Sequence, residues 1–101
     1  GKWWGYKREN EERKVVEIDI VALNEQTKQI LFGECKWQNK VNANKILQEL
    51  KDKAKYMQWN IDKRKEYYAI FAKSFSKRLN EFEGKKVYCF DLKEIEKSLV
   101  K

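Results

Sequence analysis

The chain has 101 residues, 39% of them charged and 42% hydrophobic, which is typical of one domain with a modest core and an ionic surface. It contains no histidine, so Ser-His-Asp sites, Cys-His sites and histidine-ligated metals are excluded, and any catalysis has to use carboxylates, lysine and a hard metal ion. The net charge of +7 favours a polyanionic partner such as DNA, although a lysine-rich surface without a partner carries the same charge.

Three β-strands are predicted in the first part of the chain. The aromatic and basic segment 3–8 is the first strand, and a polar turn at 10–12 leads to a second strand over 13–23. A turn at 24–27 precedes a third strand over 28–37. The second and third strands are apolar runs interrupted by acidic residues. A buried charge of this kind needs a partner, a metal or a functional cleft.

Strand alternation groups these charges. Glu17 and Asp19 are predicted to share one face of the second strand, and Glu34 and Lys36 one face of the third. If the two strands pair around the turn at 24–27, Asp19 lies opposite the end of the third strand. We therefore expect Asp19, Glu34 and Lys36 to converge.

The hydrophobic period changes after residue 41. A helix with Asn42 or Asn44 as its N-cap is predicted to end near residues 59–60, with an apolar stripe of Ala43, Ile46, Leu47, Leu50, Ala54 and Met57. Residues 67–75 predict a central strand covered on both faces, and residues 73–84 a loop or a short irregular helix. Residues 87–90 predict a short strand, and residues 91–100 a helix capped by Asp91, with inward-facing Leu92, Ile95 and Leu99.

The predicted order β-β-β-α-β-β-α indicates a single α/β domain over residues 1–101, with a mixed sheet and packed helices. No apolar run approaches the roughly 20 residues that span a bilayer, and no signal peptide is recognisable, so we expect a cytoplasmic protein without membrane contact. Cys35 and Cys89 are far apart without CxxC spacing, which predicts buried, reduced thiols rather than a zinc site.

The spacing D-x14-E-x-K, formed by Asp19, Glu34 and Lys36, suits a magnesium site. Two neighbouring carboxylates provide the hard oxygen ligands that Mg²⁺ prefers, and a nearby lysine can offset charge that develops on a phosphate. The structural alternative is a cross-strand salt bridge on a solvated face, which is common in a chain so rich in charge. Lys7, Arg8, Lys40 and Lys45 are candidates for phosphate contacts, without any one being favoured.

The segments EIDIVAL at 17–23 and FGECKW at 32–37 resemble the nuclease core of the PD-(D/E)XK superfamily, which includes many restriction endonucleases and archaeal Holliday-junction resolvases. With the WWG segment at 3–5, they resemble still more closely the nuclease-like C-terminal domain of a group of archaeal ATPases. The resemblance covers about residues 3–75 and implies a restriction-endonuclease-like mixed sheet.

By matching position, the resemblance implies that Asp19 is the carboxylate of the first motif, Glu34 the second acidic ligand and Lys36 the catalytic lysine. The backbone carbonyl of Cys35 is implied as a further metal ligand, and Glu17 as an accessory ligand or a structural carboxylate. The implied cofactor is Mg²⁺, for which Mn²⁺ can substitute. The implied partner is DNA, and a homodimer fits because nucleases of this kind commonly pair to cut two strands.

One departure from the superfamily pattern is that its core usually begins with a helix, whereas this chain starts at a strand. The expectation is therefore a fragment of a longer protein, the alternative being a partner that covers that face of the sheet. Three functions follow: a metal-dependent DNA endonuclease domain, a catalytically silent DNA-binding module of the same fold, or a regulatory interaction domain attached to an archaeal ATPase.

Overall fold

The computed structural model describes residues 1–99 and has a mixed α/β architecture, as predicted. In chain order its elements are β1 Trp3–Glu9, β2 Glu12–Ile18, β3 Ile20–Asn24, β4 Gln29–Lys36, β5 Val41–Asn42, α1 Ala43–Ala54, β6 Lys65–Ala72, β7 Phe75–Lys77, β8 Glu81–Phe82, β9 Lys85–Phe90 and α2 Leu92–Leu99.

Five strands form a mixed sheet in the order β3-β4-β6-β9-β8. β4, β6 and β9 are parallel, and the edge strands β3 and β8 are antiparallel to their neighbours. α1 makes the crossover that parallel neighbours such as β4 and β6 require. The other strands form two-stranded ribbons, β1 with β2 and β5 with β7. The predicted central strand is β6, which lies in the middle of the sheet.

α1 packs its apolar stripe on one face of the sheet, with five buried side chains: Ala43, Ile46, Leu47, Leu50 and Ala54. Asn42 is the N-cap, and its side chain accepts a hydrogen bond of 3.0 Å from the Asn44 N–H. The core beneath the helix is supplied by alternate residues of the strands, including Phe32, Tyr68 and Val87. The predicted helix and its stripe are therefore present from Ala43 onward.

The helix ends at Ala54, earlier than the predicted residues 59–60, and a distant arginine binds the carbonyl groups of Ala54 and of the turns that follow. The Arg64 guanidinium donates hydrogen bonds to the carbonyl oxygens of Ala54, Met57 and Trp59 at 3.0, 2.6 and 3.0 Å. Carbonyls left unpaired at a helix end need such partners. The segment after Ala54 therefore forms turns around Arg64 instead of further helix.

The sheet face opposite α1 is only partly covered, so the prediction that the central strand is buried on both faces is wrong. Tyr67 and Phe71 of β6 are half-buried, and Tyr88 and Phe90 of β9 are each 37% exposed. The rings of Phe71 and Phe90 stack with their centroids 5.3 Å apart, and those of Tyr88 and Phe90 at 6.4 Å. These four side chains form the aromatic face of the sheet.

Residues 73–84, predicted to be a loop or an irregular helix, contain β7 and β8. The prediction failed because three apolar residues among the charges, Phe75, Leu79 and Phe82, pack against the core. Glu83 and Gly84, with positive φ of 50° and 79°, form the two-residue turn between β8 and β9. Two-residue hairpin turns favour this left-handed backbone and commonly contain glycine.

α2 begins at its predicted cap. The Asp91 side chain accepts a hydrogen bond of 2.9 Å from the Glu94 N–H, and the Glu94 carboxylate accepts one of 3.2 Å from the Asp91 N–H. Leu92 and Ile95 are half-buried, but Leu99 is 79% exposed, so its predicted inward orientation is wrong. Val100, the predicted last residue of this helix, lies outside the described residues. Neither helix of residues 1–99 combines the length and apolar character needed to cross a membrane.

Candidate metal centre

Asp19 lies at a bend between β2 and β3, where a single straight strand over 13–23 was predicted. β2 pairs with β1, whereas β3 turns away to pair with β4, so the backbone changes direction at Asp19. The alternation of buried residues shifts at the bend: Val16 and Ile18 are buried before it, and Val21 after it. The prediction of one continuous face for residues 13–23 is therefore wrong. Asp19 lies at a bend and belongs to neither strand.

The register of the β3–β4 pair places Asp19 beside the end of β4. Ile20 is paired with Gly33, so the preceding residue comes next to Glu34 and Cys35. The Cys35 N–H donates a hydrogen bond of 3.0 Å to Asp19 Oδ2. A strand residue points its N–H and its C=O to the same side, as in antiparallel pairs that exchange both bonds. The Cys35 carbonyl is therefore on the side of β4 that Asp19 occupies.

Glu34 is a buried acidic residue, 4% exposed. Its Oε1 accepts a hydrogen bond of 2.8 Å from Lys53 Nζ of α1. Burial raises the pKa of the Glu34 carboxyl; the Lys53 ammonium opposes this rise, and the nearby carboxylate of Asp19 adds to it. Two carboxylates thus lie side by side, one buried and one at a strand bend, with one lysine as counter-ion.

Lys36 follows Glu34 by two residues on β4, so both side chains point to the sheet face that α1 covers. Lys36 is half-buried and lines a groove of about 420 Å³ beside the N-terminal half of α1, together with Lys40, Lys45 and Glu49. Lys36 thus shares a strand face with Glu34 and is accessible from this first groove.

Glu17 has its own ion-pair partner at the surface. Its carboxylate forms a salt bridge with Lys2, and the hydrogen bond from Lys2 lowers the pKa of Glu17. The Asp19 carboxylate opposes this lowering, so the two charges still interact across the bend. Within residues 1–99 no group of three or more acidic, cysteine or histidine side chains gathers into a metal-binding cluster.

A second groove, of about 340 Å³, lies between β2 and α1 on the other side of the carboxylates. Its lining includes Lys7, Lys53 and Lys55, opposed by Glu17 and Asp52. Each groove therefore carries three lysines and fewer carboxylates than lysines. Net positive charge therefore lines both grooves.

The donor set fits Mg²⁺, which commonly binds one or two carboxylates and keeps several waters. Among the hydrogen bonds of residues 1–99, Lys53 engages only one oxygen of Glu34 and Cys35 only one oxygen of Asp19. The two carboxylates are also close enough to interact with each other, so a cation placed between them could bind an oxygen of each, with the Cys35 carbonyl on the same side. Cys35 is exposed and unpaired, so its predicted burial is wrong, while Cys89 is free and half-buried.

Lys53 is the functional candidate that sequence reasoning missed. It lies seven residues after Ile46 and three after Leu50, which places it along the apolar stripe that faces the sheet. A lysine at such a position has to extend out to water or find a buried acid. Glu34 is the only buried acidic residue among residues 1–99, so a lysine on the buried stripe of α1 and an acid inside the apolar run of β4 were the signal for this pair.

Residues 1–47 match the model of the family DUF234, described as archaeal and bacterial proteins of unknown function. This segment contains Asp19, Glu34 and Lys36, and ends before Lys53. The chain is also similar to an uncharacterized protein of Methanocaldococcus jannaschii, with 33% identity over 82 residues that make up 79% of this chain and 16% of the relative. No solved structure matches the chain.

Proposed function

We propose that this domain is a Mg²⁺-dependent DNA endonuclease of the PD-(D/E)XK type, with the topology of restriction endonucleases. The observation that carries the proposal is the pairing of Asp19 and Glu34 at the end of neighbouring strands, supported by the hydrogen bond of 3.0 Å from Cys35 to Asp19. Lys36 follows on the same strand face, and lysine-lined grooves flank the pair.

In this proposal Asp19, Glu34 and the Cys35 carbonyl hold the metal, and Mn²⁺ can replace Mg²⁺ because both accept oxygen ligands. When bound, Mg²⁺ supplies Lewis acidity towards a phosphate and acidifies water. The hydrogen bond from the Cys35 N–H fixes the Asp19 carboxylate, so its free oxygen has a defined direction. Burial of Glu34 on a central strand holds the second ligand equally firmly.

Lys36 has the electrostatic role. Its ammonium lies on the Glu34 side of β4, where it offsets the negative charge that grows on a phosphodiester during attack by water. Lys40 and Lys45 in the first groove, and Lys7 and Lys55 in the second, bind the DNA backbone on either side. Base-reading contacts are no part of the proposal, so sequence preference is expected to be weak.

The test is incubation of supercoiled plasmid and of branched DNA with Mg²⁺, Mn²⁺ or EDTA. Wild type is compared with Asp19→Asn and Lys36→Met, and matched controls are Glu25→Gln and Lys28→Met in the exposed turn between β3 and β4. We expect cleavage that requires a metal, is lost in both site variants and persists in both controls. Cleavage that survives Asp19→Asn, or that proceeds in EDTA, contradicts the proposal.

A second candidate is a DNA-binding module of the same fold that does not cut. It is favoured by the Lys53–Glu34 contact of 2.8 Å, which neutralises one of the two carboxylates, and by the lysines in both grooves. Binding of the same DNAs without cleavage in any metal, unaffected by Asp19→Asn, would select this function. Sedimentation of the protein with and without DNA tests the homodimer that cutting both strands would require.

A further inference from the structure

Lys53 differs from an ordinary structural counter-ion because its side chain is much more exposed than that of the carboxylate it binds. Its ammonium contacts the Glu34 carboxylate at 2.8 Å, yet its side chain is 34% exposed while that of Glu34 is only 5% exposed. Glu34 is fixed on β4, whereas Lys53 reaches it from α1 on a flexible four-carbon stem. Of the two partners, only Lys53 can leave without moving the backbone.

The charges at this point do not balance with Lys53 alone. Asp19 and Glu34 bring two carboxylates together, because Ile20 pairs with Gly33 and the Cys35 N–H binds Asp19 Oδ2. One ammonium neutralises one of them. A divalent cation at the same carboxylates neutralises both, and it repels an ammonium that remains within contact distance.

The groove between β2 and α1 can accommodate the Lys53 ammonium after it leaves Glu34. The Lys53 side chain already lines this groove, where the carboxylates of Glu17 and Asp52 also lie. A change of rotamer exchanges a buried partner for exposed ones, which is a small movement for a lysine. In the groove the ammonium also faces the side on which an anionic substrate would lie.

We propose that Lys53 is an exchangeable counter-cation: it holds Glu34 in the metal-free protein and withdraws into the groove between β2 and α1 when a divalent cation binds. The inference rests on the metal site of the proposed function but not on cleavage. Lys53 thus lowers the affinity for metal, because every binding event has to displace it, and the bound metal places a free ammonium at the DNA-binding surface.

The first experiment measures the Mn²⁺ affinity of the protein without DNA. The concentration of free Mn²⁺ is read from its electron paramagnetic resonance signal. Lys53→Met removes the competing charge but keeps most of the side-chain volume, and Lys55→Met removes an equal charge from the same groove without touching Glu34. We expect Lys53→Met to bind Mn²⁺ at least about tenfold more tightly than wild type, equivalent to about 1.4 kcal/mol. Lys55→Met should stay within about twofold of wild type, as expected for a screened surface charge.

A second measurement uses wild type alone and so does not depend on the folding of a variant. Lysines are acetylated under limiting reagent and the rates at Lys53 and Lys55 are read by mass spectrometry, in Mg²⁺ and in EDTA. Release from Glu34 should raise the rate at Lys53 severalfold in Mg²⁺ and leave that at Lys55 unchanged. A rate at Lys53 that Mg²⁺ does not raise overturns the exchange.

The outcomes separate this inference from the nuclease. Metal-dependent cleavage with equal Mn²⁺ affinity in Lys53→Met and Lys55→Met refutes the exchange and leaves the nuclease standing. Tighter binding in Lys53→Met without cleavage by wild type supports the exchange and refutes the nuclease. Absence of Mn²⁺ binding in wild type and in Lys53→Met refutes both.

Discussion

Two ion pairs lie beside α1, Arg64 with Glu66 and Lys53 with Glu34, and they differ in how completely their charges and hydrogen-bonding groups are paired. The Arg64 side chain is 1% exposed and binds Glu66 at 2.8 Å, and its other donors bind the carbonyl oxygens of Ala54, at the end of α1, and of Met57 and Trp59 in the turns after it. Glu66 also receives Lys85 at 3.4 Å. Lys53 and Glu34 form a single contact at 2.8 Å, beside a second carboxylate and next to a groove.

The difference separates a structural pair from a candidate binding site. Around Arg64 the one carboxylate, Glu66, is met by two cations and nearly every Arg64 donor has an acceptor, so an added cation would gain nothing there. Around Glu34 negative charge exceeds positive charge, and carboxylate oxygens remain for another cation. Burial of a charge alone thus does not mark a candidate binding site, whereas unbalanced charge beside an opening does. Four predictions test this contrast, from the largest expected effect to the smallest.

Arg64→Met should lower the free energy of unfolding by about 3–5 kcal/mol, since it removes the most deeply buried cation beside Glu66 and the Arg64 donors to the carbonyl oxygens of Met57 and Trp59. Urea denaturation measures the loss, with Arg8→Met, an exposed arginine on β1, as the matched control. A loss below about 1 kcal/mol would mean that Arg64 contributes little to stability, and the contrast between a structural pair at Arg64 and a candidate binding site at Glu34 would fail.

Glu34→Gln should affect metal binding more than stability. We expect it to weaken Mg²⁺ binding at least about tenfold and to lower the free energy of unfolding by less than Arg64→Met does. A glutamine needs no counter-ion, and Lys53, already a third exposed, can turn to water. Isothermal titration with Mg²⁺ and urea denaturation of the same preparation give both numbers, with Glu25→Gln as control. Unchanged Mg²⁺ affinity would place the metal elsewhere.

Tyr68 extends the structural cluster, since its hydroxyl donates to Glu66 at 3.4 Å. Burial, with the negative charge of Glu66, raises the pKa of Tyr68 above the ordinary value of about 10. Between the two values the folded state binds more protons than the unfolded state, so this group makes stability fall as pH rises above about 10. Tyr68→Phe should lose less stability than wild type between about pH 9 and about pH 11, measured by urea midpoints; equal losses would contradict the shift.

Glu17→Gln should produce the smallest effect, because its pair with Lys2 lies at the surface, where ion pairs contribute little. The urea midpoint and the Mg²⁺ affinity are both expected to stay near those of wild type. A clear loss of Mg²⁺ affinity would add Glu17 to the metal ligands and widen the site beyond two carboxylates.

Much of this arrangement was predictable from local pattern. Helical spacing from Ala43 to Ala54 gave α1, and the turn at 24–27 set a register that brings Asp19 to Glu34. Both depend on neighbours in the sequence. The mixed α/β class followed from the same periodicities.

The failures have long-range causes. The end of α1 depends on Arg64, which lies 10 residues beyond Ala54. The bend at Asp19 arises because β2 and β3 pair with different strands. The hydrophobic period of residues 13–23 does not indicate which strand each half pairs with. Lys53 became a site residue only through its contact with Glu34, 19 positions away.

The aromatic face of the sheet has a consequence for the energetics of any assembly. Tyr88 and Phe90 keep more than a third of their surface in water, so the free chain does not gain the full hydrophobic stabilisation of these rings. A molecule that covers them binds the folded chain and not the unfolded one, and so stabilises the fold by mass action. The thermal midpoint of the isolated chain is therefore a lower bound for every complex in which this face is covered.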